Sequence, residues 1–149
     1  MSEMRDSANN IAYLLAEAAS GSGSGSGSGS DSGAKAALAI PASDSADVQV
    51  VSYTQLASAA AQVQRHVAAL GVERGDRVAL SMPNVALMPA LYYGIVAAGA
   101  ICVPLNPLLS GAELEYHLRD SGAKALFAFA GTRLASVASS TVPVKNGSV

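Results

Sequence analysis

The sequence predicts an α/β fold, a partial parallel sheet with flanking helices, and three observations carry that prediction. Three short apolar runs, 77–82, 100–104 and 125–129, are separated by helix-length segments that end in glycine. Each run is apolar at consecutive positions rather than alternating, as strands covered on both faces are. Charged residues make up only 13% of the chain, about half the usual share, while 50% of residues are hydrophobic. Strands of that kind joined by helices imply parallel pairing through right-handed crossovers. At 149 residues the chain suffices for one domain and is too short for two.

The elements follow in order. Asn10 is placed to cap a short helix over IAYLLAEAA, with Ile11, Leu14, Leu15 and Ala18 spaced along one apolar face. Residues 21–30 alternate Gly and Ser, with no apolar side chain to bury, and read as a flexible tether reaching about 17 Å. Residues 36–40 and 48–53 flank a polar turn and read as two short strands, a candidate hairpin. The clearest helix runs over 54–70, where Leu56, Val63, Val67 and Leu70 share a face and Gly71 follows as a stop.

A βαβαβ series comes next. Strand 77–82 ends at Pro83 and Asn84, and 85–98 is apolar on all sides, as a helix wedged between layers is. Gly99 stops that helix before the apolar strand 100–104. Ser110 and Glu113 form a capping-box pair for a helix running to Ser121, Gly122 ends it, and 125–129 is the third strand. From Thr132 the pattern fades into a polar, Val/Pro/Gly tail that stops short of another βα unit. The expected organisation is an N-terminal helix (1–20), a Gly/Ser-rich tether (21–33), an incomplete α/β domain (34–131) and a weakly structured tail (132–149).

Composition removes several function classes. The net charge of −2 arises from 9 basic and 11 acidic residues without runs, so no basic stripe exists to neutralise nucleic-acid phosphates. The single cysteine, Cys102, excludes an internal disulfide framework and fits a reducing compartment. The N-terminus lacks a basic segment followed by an apolar one, so the expected location is cytoplasmic. No charge occurs between Arg77 and Glu113, and 85–103 is long enough to cross a bilayer. Pro89, Gly94 and Gly99 interrupt that stretch and its flanks lack clustered Lys and Arg, so a buried helix and strand are the expected reading and membrane spanning is not.

VSYTQL, then HVAALGVERGDRVALSMPN, then LYYGIVAAGAICVPLNPLLSGAELEYHLRDSGAKALF occur in that order between Val51 and Phe127. With these motifs at these spacings, the chain resembles the N-terminal part of the AMP-forming acyl-CoA synthetases, the adenylate-forming ligases of the fatty-acyl and 4-coumarate-like branch. Residues 10–19 resemble the family's first helix more loosely, with the Gly/Ser tract where the family has a short loop. The resemblance implies the opening part of the large N-terminal domain, which frames the acyl pocket from behind. In the complete family enzyme, ATP and a carboxylate, here a fatty acid, give an acyl-adenylate and pyrophosphate, and CoA then displaces AMP. The family's phosphate-binding loop, adenine-binding motif, hinge acid and C-terminal lysine have no counterpart among these residues. The expectation is therefore a truncated synthetase, inactive alone. ATP, magnesium and CoA belong to the complete enzyme, and none is a cofactor of this chain. Its partner is expected to be the remainder of a ligase domain, or itself through exposed apolar surface. Two alternatives stand beside it: a non-catalytic interaction module pairing with a complementary ligase fragment, and a small single-pass membrane protein.

No residue is assigned a catalytic, cofactor-binding or metal-binding role. The Gly/Ser tract is followed by Asp31, whereas a phosphate loop needs a Lys after its last Gly. His66 and His117 lie on separate helices without a second ligand at helical spacing. Cys102, inside an apolar strand, is expected to be an inert core thiol with a raised pKa. Asp76 and Arg77 read as turn chemistry, and Tyr92 and Tyr93 as packing residues.

Overall fold

The computed structural model describes residues 10–21, 34–41, 48–130 and 145–147. The first element, α1 (Ala12–Ser20), starts where Asn10 Oδ1 accepts the Ala12 N–H at 2.9 Å, and ends at Gly21 in the left-handed region. Asn10 thus caps as expected, and its Nδ2 also donates to the Val96 carbonyl at 2.7 Å, pinning the helix to a distant element. The expected apolar face is only partly used. Leu15 is buried and Ala18 half-buried, whereas Ile11 and Leu14 are 48% and 62% exposed. The helix leans on its neighbours along a strip one residue wide, too narrow to cover a full amphipathic face. Apart from Gly21, the tether lies outside the described residues.

Strands β1 (Ala36–Pro41) and β2 (Val48–Ser52) form the expected antiparallel pair, with an irregularity between Ala36 and Leu38. The turn between them lies outside the described residues. Tyr53, assigned above to the strand, instead opens helix α2 (Tyr53–Ala69). A capping box sets this boundary: Ser52 Oγ accepts the Gln55 N–H at 3.2 Å, and Gln55 Oε1 accepts the Ser52 N–H at 2.8 Å. Leu56, Ala60, Val63 and Val67 form the buried face, on the expected period with Ala60 added.

Four strands then build one parallel sheet, β3 (Arg77–Ser81), β4 (Ile101–Leu105), β5 (Ala125–Ala128) and β6 (Lys145–Gly147), in the order β4-β3-β5-β6. Leu80 sits opposite Pro104 on one side and Phe127 on the other. Helices α3 (Leu87–Ala97) and α4 (Gly111–Ser121) make the crossovers on opposite faces. Val78, Leu80 and Phe127 pack with Val63, Val67, Leu91 and Ile95 on one face, and Ala79 and Leu126 pack with Leu114 and Leu118 on the other. The fold class is the one the sequence predicts.

Two details depart from the sequence reading, and a third agrees with it. β4, expected to be covered on both faces, is an edge strand, with Ile101 52% exposed and Pro104 exposed. Proline lacks the N–H that a second ladder would need, so an edge position suits it. The tail contributes the short strand β6, which the sequence did not announce; the rest of 131–149 lies outside the described residues. The apolar stretch 85–103 divides into the 11-residue α3, a turn at Gly99 and β4. Among the described residues no helix is long and apolar enough to cross a membrane.

Gly94 explains how closely α3 packs against α2 on the sheet face they share. A Cβ there would collide with the Val63 side chain and lie 2.7 Å from the Ala60 carbonyl oxygen. The glycine costs helix propensity, roughly 1 kcal/mol, and in exchange lets α2 and α3 approach to backbone contact.

Candidate functional site

Three places could carry chemistry: the N-terminal edge of the sheet, its C-terminal edge, and a cavity beside α1. At the N-terminal edge stand Asp76 and Arg77. Asp76 Oδ2 accepts the Glu73 N–H at 2.7 Å, and its Oδ1 pairs with Lys124 Nζ at 2.8 Å. Arg77 donates from Nε to the Ser121 carbonyl at 2.9 Å and from Nη2 to that of Gly122 at 3.3 Å. The Lys124 ammonium and the Glu73 amide hold the Asp76 carboxyl below its usual range. The backbone joins in, with the Ile101 N–H donating to Asp76 O and the Lys124 N–H to Arg77 O, both at 2.8 Å. The pair is thus a clip tying the starts of β3, β4 and β5, which agrees with the turn reading. Each hydrogen-bonding atom named here has a partner within the protein.

At the C-terminal edge, open α/β sheets bind ligands where neighbouring crossovers leave for opposite faces. In this sheet the described crossovers α3 and α4 leave β3 and β4 for opposite faces, and β5 adjoins β3 on its other side. The Phe129 N–H donates to the Ser81 carbonyl at 3.1 Å, closing the gap with backbone. Ser81 is fully buried there, and its Oγ has no hydrogen-bond partner among the described residues. Such a group costs about 1–3 kcal/mol. On the neighbouring loop, Asn106 Oδ1 accepts the Leu108 N–H at 2.9 Å, an Asx turn leading into the capping box of α4. Within that box, Ser110 Oγ and its backbone N–H hold the Glu113 carboxyl below its usual range. These are fold-building bonds.

The third place is a cavity of about 420 Å³ between α1, the β1–β2 pair, α2 and α3. Leu14, Leu15 and Ala18 wall one side, Ala37 and Leu38 another, and Tyr53, Leu56, Pro89 and Tyr93 the remainder. None of these is charged.

The other residues weighed from sequence are scattered. His66, exposed on α2, stacks obliquely on Phe127 at 6.0 Å, and His117 meets Tyr116 edge-on at 5.3 Å. Among the described residues no three His, Cys, Asp or Glu side chains converge in a way that could hold a metal ion. Cys102 is half-buried on β4, and burial pushes its thiol up to about 11, the raised pKa that was expected. Tyr92 packs against the main core, edge-on to Tyr93 at 5.9 Å. Tyr93 packs against the cluster of Leu15, Leu56, Ala60 and Ala90 and also lines the cavity. Sequence could not signal the cavity, which is made of elements distant in the chain.

Comparison with known proteins gives these elements a family. The family model for AMP-binding enzymes matches residues 31–147. A long-chain-fatty-acid–CoA ligase of Escherichia coli O157:H7 is 53% identical over 57 residues, which cover 38% of this chain and 10% of the relative. The long-chain-fatty-acid–CoA ligase FadD13 of Mycobacterium tuberculosis H37Rv is 41% identical over 80 residues, 54% of this chain and 16% of that one. The chain therefore spans between about a tenth and a sixth of the length of these relatives. Among solved structures, a Mycobacterium tuberculosis fatty acyl CoA synthetase superposes with a TM-score of 0.70 at 26% identity, covering 95% of this chain and 26% of that one. The N-terminal domain of FACL13 from the same organism matches with a TM-score of 0.69 at 26% identity, over 93% of this chain and 33% of that domain. The chain belongs to the AMP-binding enzyme family, and its residues correspond to the N-terminal segment of an acyl-CoA synthetase.

Proposed function

We propose that this chain supplies the structural opening of a ligase that joins a carboxylic acid, a fatty acid, to CoA through an acyl-adenylate. The observation that carries the reading is the family match over 31–147, with relatives named as long-chain-fatty-acid–CoA ligases. The described residues add the form of the contribution. Their polar groups build caps, turns and the clip at Asp76 and Arg77. Binding of ATP, magnesium and CoA, and adenylation itself, fall in this reading to residues outside the 149.

The partner in this proposal is the rest of the ligase domain. The apolar surface left open on Val48, Val50, Ile101 and Leu108 is what such a domain would cover, and self-association is the expected alternative when it is missing. The proposed location is the cytoplasm. The test is carboxylate-dependent ATP–pyrophosphate exchange by the purified 149-residue polypeptide. The expected rate equals the protein-free blank. Exchange that rises with added fatty acid and saturates would overturn the assignment of a purely structural role.

A further inference from the structure

We infer that the cavity beside α1 is a binding site for a neutral, predominantly apolar small molecule carrying a hydroxyl or similar uncharged polar group. The inference rests on the cavity's own lining and not on the proposed ligase activity. Three observations support it. The volume, about 420 Å³, lies within the roughly 300–1,000 Å³ of small-molecule sites. The lining side chains are apolar or phenolic, with Leu14, Leu15, Leu38 and Leu56 beside Tyr53 and Tyr93, and polar atoms share the exposed wall with them. Among the described residues its lining holds no Lys, Arg, His, Asp or Glu, so an ion brought inside would meet no opposite charge there. The phenols offer hydrogen bonds that a neutral polar group can use. Leu14, 62% exposed at the rim, leaves apolar surface that a bound chain would cover.

Charge exclusion makes the ligand class testable with a matched pair of probes. The full 149-residue chain, labelled at leucine and valine methyl groups, is titrated with 1-decanol and separately with decanoate at neutral pH. Saturable shifts are expected at Leu14, Leu15, Leu38 and Leu56, with Val78 and Leu126 unmoved. Decanoate is expected to bind at least about ten-fold more weakly, because its carboxylate has no partner in the cavity. Ala18→Phe, which places a ring in the cavity, is expected to abolish the shifts while leaving the Val78 and Leu126 signals in place. Ala37→Leu fills the same space from the strand side and serves if the first variant loses its native spectrum. Equal binding of the two probes would overturn the inference. So would shifts that spread without saturation to Leu108, or decanol binding that survives in a folded cavity-filled variant.

Discussion

The sheet layer and the front layer, α1 with the β1–β2 pair, are written in similarly apolar sequence, yet they end in different states. In the sheet layer, Val78, Ala79, Leu80, Ala125, Leu126 and Phe127 are at most 2% exposed, covered by α2 and α3 on one face and α4 on the other. In the front layer α1 buries only Leu15, and the strand pair buries no described residue. The difference lies in cover. An apolar pattern says which side chains gain from leaving water, and only the tertiary arrangement says whether something is there to receive them. A supporting layer can therefore be tightly closed while the surface beside it keeps a cavity and an open rim.

The widest contrast is between Phe127 and Leu14. Phe127→Ala should cost about 4 kcal/mol, the range for emptying an aromatic site in a closed core. Leu14→Ser should change stability by less than about 0.5 kcal/mol, as at other exposed positions. Urea unfolding followed by circular dichroism measures both, and comparable losses would erase the distinction between the layers. Next in size is Gly94→Ala. Overpacking against Val63 and Ala60 should outweigh the helix-propensity gain and leave a net loss of about 2 kcal/mol. A gain would show that α2 and α3 are free to separate. Ser52→Ala should cost about 1 kcal/mol by removing the cap of α2, with Thr at the same position retaining most of it.

The smallest effect is a pH dependence. Asp76 has a folded-state pKa held below its unfolded value by Lys124 and the Glu73 amide, so its contribution is complete above the ordinary Asp value, near 3.9. That contribution is lost as pH falls through the lower folded value. Acid titration of thermal stability should show this slope in the parent chain and a shallower one in Asp76→Asn. An unchanged slope would mean that the clip holds the sheet through its backbone bonds alone.

Much of the sheet layer was legible because its signals are local. Ser110 with Glu113, and Gly71, Gly99 and Gly122 at helix ends, state their role within a few residues. The cap at Ser52 was equally legible through its S-x-x-Q pattern, but counting Tyr53 into the strand hid it. Pro104 carried the hint that β4 sits at an edge, and the continuous apolar run spoke louder. β6 reads Lys-Asn-Gly, with no strand propensity, and exists only through pairing with β5. The exposure of Ile11 and Leu14 and the cavity beside them depend on where distant elements stop, which no local pattern encodes. Of the candidate sites, the Asp76–Arg77 clip was visible as turn chemistry, while its partners Lys124, Ser121 and Gly122 lie more than forty residues away.

Under the proposed role, the sheet layer is a scaffold that a related long-chain-fatty-acid–CoA ligase can use in place of its own segment. A chimera tests it most directly: the Escherichia coli O157:H7 ligase with its matching segment replaced by residues 77–130, assayed for acyl-CoA formation. The account predicts kcat/KM within about ten-fold of the parent, a change of about 1.4 kcal/mol in transition-state stabilisation. A chimera that melts like the parent but forms no acyl-CoA would contradict it, since residues 77–130 would then have to carry more than support.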